Sequence, residues 1–519
     1  MDVPAPPDTA PQTSSPSITW TRNGVAVPSQ SIASIDAFAF WQACLAACGQ
    51  GARVVSLVAS PELDDAISIL GVLVDDLQGR IGLLRTRLMR DPDSRAFAYR
   101  SLTPELPQAQ AFERCLLEDY GIQPIGHPWP KPLRRHDTLE KPMGSGAPAR
   151  PHPFFEVRGA GVHEVAVGPV HAGIIEPGHF RFQCEGETVL HLEIQLGYQT
   201  RGAEALFLRS PDSRRLLISE SVAGDTSIGH ATAYCMNEEA LGGSEVPLAA
   251  LALRGVALEL ERLANHTGDL GALCGDVGYL PGASYFGRLR GEFLNLTMEL
   301  SGSRVGRGMV IPGGVRFGVP LDQRAAWIAR LTRVQRDLED TANMAFASSA
   351  LAARFEETGR VSHTVAEELG LVGPVARASE CDRDVRRDHP RGIYRFAHVP
   401  IAIAPGGDVM ARALVRWVEI QRSLTFVKEQ IASLSDSPIH GAVGARTREA
   451  VCVSLVEGWR GEIAHVAVTN EVGQFTAYRI VDPSFHNWFG LTMALRDCPI
   501  SDFPLCNKSF NLSYSGHDL

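Results

Sequence analysis

The side chains best suited to chemistry sit in a few strings rich in glycine and proline. Gly168-Pro169-Val170-His171-Ala172-Gly173-Ile174-Ile175-Glu176-Pro177-Gly178-His179 places two imidazoles and a carboxylate in one loop, and Arg181 follows two residues on. Imidazole changes charge near neutral pH, so such a loop either handles protons at a site or ties itself together through its own backbone. A second string, Ala223-Gly224-Asp225-Thr226-Ser227-Ile228-Gly229-His230, ends in a histidine that reads as cavity wall or as a satisfied core residue. Asp276 stands in the mostly apolar string Leu273-Cys274-Gly275-Asp276-Val277-Gly278. An acid there costs stability unless paired or solvated, and its proton affinity follows its surroundings, so it is a candidate proton-linked switch. Ten cysteines stand at 44, 48, 115, 184, 235, 274, 381, 452, 498 and 506, with no CxxC pair. Iron–sulfur clusters and structural zinc sites draw on closely spaced thiolates, so neither is expected, and the thiols read as small buried apolar groups. Gly306-Arg307-Gly308 with Gly313-Gly314 fits no phosphate-binding fingerprint. Glu429, Asp436 and the charges from Arg412 to Arg422 read as solvated helix faces.

The elements that hold these strings follow from length and periodicity. A chain of 519 residues exceeds one domain, and 45% hydrophobic with 21% charged residues is ordinary globular composition. The net charge of -10 argues against a nucleic-acid partner. No apolar run reaches the roughly 18 residues a bilayer crossing needs. The first residues have neither a basic start nor an apolar core, so they read as a disordered tail and not as a secretory signal. Val54 to Val58 reads as a strand, Pro61 to Leu77 as a helix, Ile81 to Leu88 as a strand, and Gln108 to Tyr120 as a helix stopped by Gly121. Seven prolines between Pro128 and Pro153 predict an extended linker. Strands follow over Val162 to Tyr198. Helices are expected over Gly229 to Leu241, Val246 to Asn265, Ala283 to Leu300, Leu321 to Phe355 and Val409 to Leu434, and strands again over Val451 to Tyr478. The expectation is an α+β chain: a tail (1–15), a small α/β domain (16–128), a linker (129–153) and a mainly helical bundle with β elements at both ends (154–519).

Ordered strings then point to a family. Ser101-Leu102-Thr103, Phe112-Glu113-Arg114, Asp119-Tyr120-Gly121-Ile122 and Gly126-His127-Pro128 resemble the C-type subunit of respiratory complex I. Gly168-Pro169-Val170-His171, Gly197-Tyr198 with Arg201-Gly202 and Glu204, and Glu261-Arg262-Leu263-Ala264-Asn265-His266 resemble the D-type subunit of complex I and the large subunit of energy-converting [NiFe] hydrogenases. Gly313-Gly314-Val315, Arg377-Ala378-Ser379, Gly407-Asp408-Val409, Arg460-Gly461-Glu462 and Asp482-Pro483-Ser484-Phe485 continue the match in order. A C-type unit fused to a D-type unit is the arrangement of the formate-hydrogenlyase type of large subunit.

The resemblance implies specific chemistry and specific losses. The family's nickel–iron centre takes four thiolates, and the corresponding positions here are Ala223, Thr226, Ser513 and Gly516. Two hydroxyls and two residues without a ligand atom cannot replace soft sulfur, so no metal is expected at this place. Relatives often carry a C-terminal extension removed after metal insertion, and here the sequence stops at Leu519, in keeping with that expectation. In the D-type subunit a loop histidine and a tyrosine bond the quinone, and here the loop keeps His171 and His179 while the tyrosine position falls on Gly224. Asp276 matches the aspartate that couples the quinone cavity to the membrane arm, and Arg181 an arginine near the partner's cluster. The resemblance therefore implies His171, His179 and Asp276 as catalytic residues, with Glu176, Arg181 and His230 lining the cavity. No cofactor is expected on this chain itself, quinone is the candidate acceptor, and an iron–sulfur cluster belongs to a small subunit resembling the B-type subunit of complex I. Ferredoxin-like and antiporter-like membrane subunits are implied as further partners, on the cytoplasmic face of the membrane. The alternative is a scaffold that couples partners without a redox substrate of its own.

Overall fold

A computed structural model describes residues 18–62, 64–92, 95–134 and 153–519. The expected tail and residues 135–152 of the expected linker lie outside these residues. Among the described residues no helix is long and apolar enough to cross a membrane.

The first layer is a sheet built on helix α1 (Ala37–Gly49). Its long strands β1 (Arg53–Pro61), β2 (Ala66–Asp75) and β3 (Arg80–Met89) run antiparallel, with Thr19–Thr21 added on the far side of β3. The helix expected over Pro61 to Leu77 is corrected to strand β2. All ten β2 residues are buried, because it is flanked by β1 and β3 and covered on both faces. A strand buried on both faces carries a continuous apolar run, whose three- and four-residue spacings imitate a helix. Its β-branched Ile67, Ile69, Val72 and Val74 suit the extended form. Helix α2 (Gln110–Tyr120) ends as expected at Gly121, in the left-handed conformation (φ 68°).

A three-stranded sheet, β4 (Val162–Val167), β5 (His179–Glu185) and β6 (Thr188–Gln195), carries the histidine loop between β4 and β5. The bundle comprises α3 (Ser227–Leu241), α4 (Leu248–Asp276), α5 (Leu280–Ser301), α6 (Leu321–Phe346) and α7 (Val409–Ala432). The single helix expected over Leu321 to Phe355 is split, since Ser348 leaves helical geometry and its hydroxyl caps Ser349–Phe355 by accepting from the Leu351 N–H. Strands β7 (Ala450–Gly458), β8 (Gly461–Thr469) and β9 (Phe475–Val481) form a meander that takes Val27–Pro28 as an edge strand, and helices α8 (Pro483–Ala494) and α9 (Phe503–Phe510) follow.

The first and last sheets share one apolar core, in which Val55, Leu57 and Ile69 join Val453, Val466 and Phe485. An ion cluster fastens the seam. Arg53 at the start of β1 donates to both oxygens of Asp76 (2.8 and 3.1 Å) and to both oxygens of Glu462 on β8 (2.8 and 2.5 Å). His389 Nε2 donates to the same Asp76 at 2.9 Å. Glu462 is 2% exposed, so removing its cation leaves a charge stranded in the interior. Arg53→Met is expected to destabilise the chain by roughly 3–5 kcal/mol, read from denaturant unfolding, and an unchanged midpoint would show that the seam does not depend on this residue.

Candidate functional site

Four segments converge around Ala223, Thr226, Ser513 and Gly516, the positions that the resemblance sets against metal ligands. The first is the β7–β8 hairpin, which reverses through Trp459 and Arg460 between the paired residues Gly458 and Gly461. Gly461 (φ 132°) lies so close to Gly373 that a Cβ would stand 2.8 Å from backbone atoms, so a side chain is excluded there. Arg262 on α4 holds the hairpin from behind, donating to the carbonyls of Glu457 (2.6 Å) and Gly458 (2.9 Å). Trp459 is buried and its indole N–H reaches the Asp225 carbonyl at 3.0 Å. The tip therefore delivers Arg460 in one orientation.

Arg460 meets the second segment, residues 223–230. Its guanidinium donates to both oxygens of Asp225 (2.6 and 2.8 Å), to Thr226 Oγ1 (3.2 Å) and through Nε to the Asn511 carbonyl (2.5 Å). Burial works against charge on Asp225, but the Arg460 guanidinium offsets it and keeps this carboxyl below its ordinary value. At the start of α3 the Glu261 carboxylate accepts from the N–H groups of Ile228 (2.8 Å) and Gly229 (3.2 Å), satisfying donors that helix geometry leaves open. Burial pushes Glu261 up to about 8 despite these two bonds.

His230, fully buried, begins a hydrogen-bonded chain. Its Nε2 donates to Asp482 (3.0 Å), its Nδ1 accepts from His465 Nε2 (3.1 Å), and His465 Nδ1 accepts from the Tyr478 hydroxyl (2.9 Å). One arrangement of protons satisfies every link with both rings neutral. Burial and the neighbouring His230 drive the His465 value well below the ordinary one.

The third segment, 511–519, carries the late ligand positions. The Ser513 hydroxyl accepts from the Gly516 N–H at 2.9 Å, and the Ser513 N–H donates to Ser484 Oγ at 2.8 Å. A Cβ on Gly516 would stand 2.6 Å from Cγ of Asp482, so the carboxylate occupies the space a side chain would need. Ala223 is buried and supplies no ligand atom, while Thr226 Oγ1 is engaged by Asp225, Arg460 and Trp459. These residues do not fit a nickel–iron centre. Nor do other thiols replace the missing ones. Cys235 lies in the core of the bundle and Cys506 in the core beneath the β4–β6 sheet. Among the described residues the one group with metal-ligand spacing is His363, Glu367 and Cys381, where Glu367 is ion-paired with Arg383 at 2.6 Å.

The fourth segment is the histidine loop. His171 Nε2 bonds the Gly178 carbonyl (2.8 Å) and His179 Nδ1 the Gly168 carbonyl (3.1 Å), so both imidazoles pin the loop's two ends. Glu176 accepts from the Tyr514 N–H at 3.3 Å, which seats the loop on the 511–519 segment. Arg181 is drawn away: it pairs with Glu164 and stacks on Phe154 at 4.5 Å. Asp276 is the last residue of α4, half-buried and paired with Lys508, and its Oδ2 has no hydrogen-bond partner.

Behind the hairpin lies a charged lattice. Arg377 donates to Glu419 (2.7 Å) and Glu457 (2.8 Å), Arg262 to Glu259 (3.0 Å), Arg386 to Asp384 (2.6 Å), and His266 to Glu419 (2.8 Å). The reading of Arg412 to Arg422 as a solvated face is thereby corrected in part: Arg412, Arg416 and Glu419 are buried, and α7 turns them inward towards Ser509, Asp269 and Arg377. Spacing alone does not distinguish an inward charged stripe from an outward one. Sequence reasoning also misses Asp225, Glu261, Arg460, His465 and Asp482 as site residues. The available signal for Arg460 is the pair of glycines that brackets the hairpin tip.

Glu261 yields a prediction with a definite sign. Its folded value of about 8 exceeds the ordinary 4.5, so between those values the unfolded chain loses a proton that the folded chain keeps. Its contribution is fully present below 4.5 and is lost as pH rises through about 8. Glu261→Gln retains an acceptor for Ile228 and Gly229 but cannot titrate. Its stability relative to the parent should therefore rise from about pH 5 to about pH 8 in denaturant titrations, and a pH-independent difference would contradict the assignment.

Comparison with known proteins finds similarity to subunits of redox complexes. Residues 276–446 match the family described as respiratory-chain NADH dehydrogenase, 49 Kd subunit. Formate hydrogenlyase subunit 5 of Escherichia coli (strain K12) is 28% identical over 437 residues, covering 81% of this chain and 77% of that protein. Hydrogenase-4 component G of the same organism is 29% identical over 444 residues, covering 82% and 77%. The D-type subunit of NADH-quinone oxidoreductase from Clostridium beijerinckii (strain ATCC 51743 / NCIMB 8052) is 26% identical over 323 residues, covering 62% of this chain and 87% of that protein. The resemblance read from the ordered strings is thus borne out as a similarity: the chain is similar to subunits of hydrogenase-type complexes and to the D-type subunit of NADH-quinone oxidoreductase.

Proposed function

We propose that this chain is the large subunit of a membrane-associated oxidoreductase complex, hydrogenase-related or of the NADH–quinone type, working without a nickel–iron centre. It sits peripherally on the inner face of the membrane beside an iron–sulfur small subunit resembling the B-type subunit of complex I. Ferredoxin-like and antiporter-like membrane subunits complete the assembly, and the isolated chain is inactive. Electrons from the partner's cluster reach a quinone or similar acceptor in a cavity bounded by the 168–179 loop, residues 223–230 and residues 511–519. His171, His179 and Asp276 are the proposed proton-handling residues, with Glu176, Arg181 and His230 as cavity wall.

The observation that carries this reading is the seating of the histidine loop on the 511–519 segment, through Glu176 and the Tyr514 N–H, beside a cradle filled with charge in place of metal. Coupling to ion movement is supported by the adjoining lattice, where burial and Asp384 push Glu457 up to about 7. An acid poised there takes up a proton when negative charge arrives nearby, and that uptake is the elementary event a pump transmits. A second reading, a scaffold without a redox substrate, is favoured by two facts: both loop imidazoles are spent on loop carbonyls, and Gly224 offers no side chain where the family has its tyrosine.

A photoreactive short-chain quinone analogue separates the two. On the complex purified with its iron–sulfur partner, labelling should fall on peptides from 168–179, 223–230 or 511–519 and should be competed by unlabelled quinone. Absence of competable labelling in these three segments would leave the scaffold reading.

A further inference from the structure

Away from the cradle, α3, α4, β7 and the segment from Val385 to Phe396 enclose a cavity of about 350 Å³. None of Asp225, Thr226, Arg460 or Ser513 lines it, so it is a separate place in the molecule. Its walls are mainly apolar, with Met236, Leu258, Ile393 and Leu455 facing in. A volume of this size with a few polar groups is the usual form of a small-molecule site.

The charges in the wall cancel unevenly. Arg254 is paired with Glu239 (2.5 Å), Arg386 with Asp384 (2.6 Å), and Glu457 with Arg377 (2.8 Å). Arg391 and Arg395 have no carboxylate partner among the described residues. Arg391 donates to the Gly24 carbonyl at 3.1 Å, and Arg395 lies over the exposed Phe396 ring at 5.8 Å. Against these two cations stands Glu245. A second observation comes from His389, which also lines the cavity. It is 2% exposed, its Nε2 is committed to Asp76, and its Nδ1 has no hydrogen-bond partner. A buried polar atom without a partner costs stability, and a ligand group beside it removes that cost.

We propose that this cavity binds a small amphipathic anion, with an apolar body of medium-chain length and a carboxylate-type head held by Arg391 and its neighbours. Such a ligand acts at a seam. Arg391 touches Gly24, and His389 is braced by Asp76 and by Asn23, whose side-chain amide donates to the His389 carbonyl at 2.8 Å. Occupancy therefore bears on how the N-terminal sheet sits against the bundle, whatever the redox chemistry of the cradle.

The test is calorimetric titration of the full-length chain with dodecanoate below its micellar range, and with dodecanol as the uncharged analogue. Dodecanoate should bind at one site per chain, at least about tenfold more tightly than dodecanol, with affinity falling as salt screens the head. Arg391→Gln should weaken dodecanoate by about tenfold and leave dodecanol unchanged. Leu251→Trp, which fills the cavity from its wall, should abolish both, with its folding checked by circular dichroism. Equal affinity for the two probes, no effect of Arg391→Gln, or no binding up to about 1 mM (near -4 kcal/mol) would overturn the proposal. Because no redox activity is measured, failure of the proposed function leaves this outcome unaffected.

Discussion

Charges that cannot reach water must find one another, and the interior behind the β7–β8 hairpin is organised by that constraint. Arg262, Arg377 and Arg386 face Glu259, Glu419, Glu457 and Asp384, all buried, on α4, α7, β7 and the segment between them. Three guanidiniums face four acids here, and the His266 imidazole also bonds Glu419 at 2.8 Å. Burial and Asp384 raise Glu457 to about 7, whereas the arginines hold Glu259 down at about 2 against the penalty of burial. An arrangement of this kind adds little net stability over an apolar core, but it admits no partial version, because each missing partner strands another charge. That intolerance fixes the geometry of the hairpin tip, since Arg262 also holds the carbonyls of Glu457 and Gly458.

From the tip, Arg460 projects among Asp225, Thr226 and the Asn511 carbonyl, beside the positions that the resemblance sets against metal ligands. A metal held by four thiolates is a covalent-strength crosslink between the start of α3 and the chain's last segment. Here Arg460 bridges the two segments by bonding Asp225 and the Asn511 carbonyl, while Asn265 on α4 holds the Asp225 carbonyl (3.0 Å) and His230 bonds Asp482 ahead of α8. The Asp482 carboxylate beside Gly516 leaves no room for a side chain at that position. If these positions correspond to metal ligands, as the resemblance implies, charge stands here where sulfur would. The bundle could keep its shape because the replacement bridges the same segments.

How much of this is legible in the sequence follows from which signals are local. Helices α5 and α7 are readable because each carries a sustained apolar stripe, whereas α3 is buried nearly all round and α4 runs on to Asp276, past the end expected at Asn265. Strand β2 reads as a helix because burial on both faces removes alternation, the one sign that distinguishes a strand from a helix in so short a run. The lost metal positions are visible in residue types alone, since alanine and glycine have no ligand atom in any fold. What fills the space is not visible. Asp225 and Arg460 are 235 positions apart, His230 and His465 also 235, and only tertiary packing brings such pairs together. The inward turn of Arg412, Arg416 and Glu419 is hidden likewise, because a charged helical stripe reads the same whether it meets water or another charged stripe.

The exchange of metal for charge is tested most directly by the nickel content of the complex purified with its partner subunits, measured by elemental analysis per mole of this chain. A cradle closed by Arg460, Asp225 and Asp482 predicts nickel at background. About one nickel per chain, retained through chelator treatment as expected for thiolate-type ligation, would contradict it.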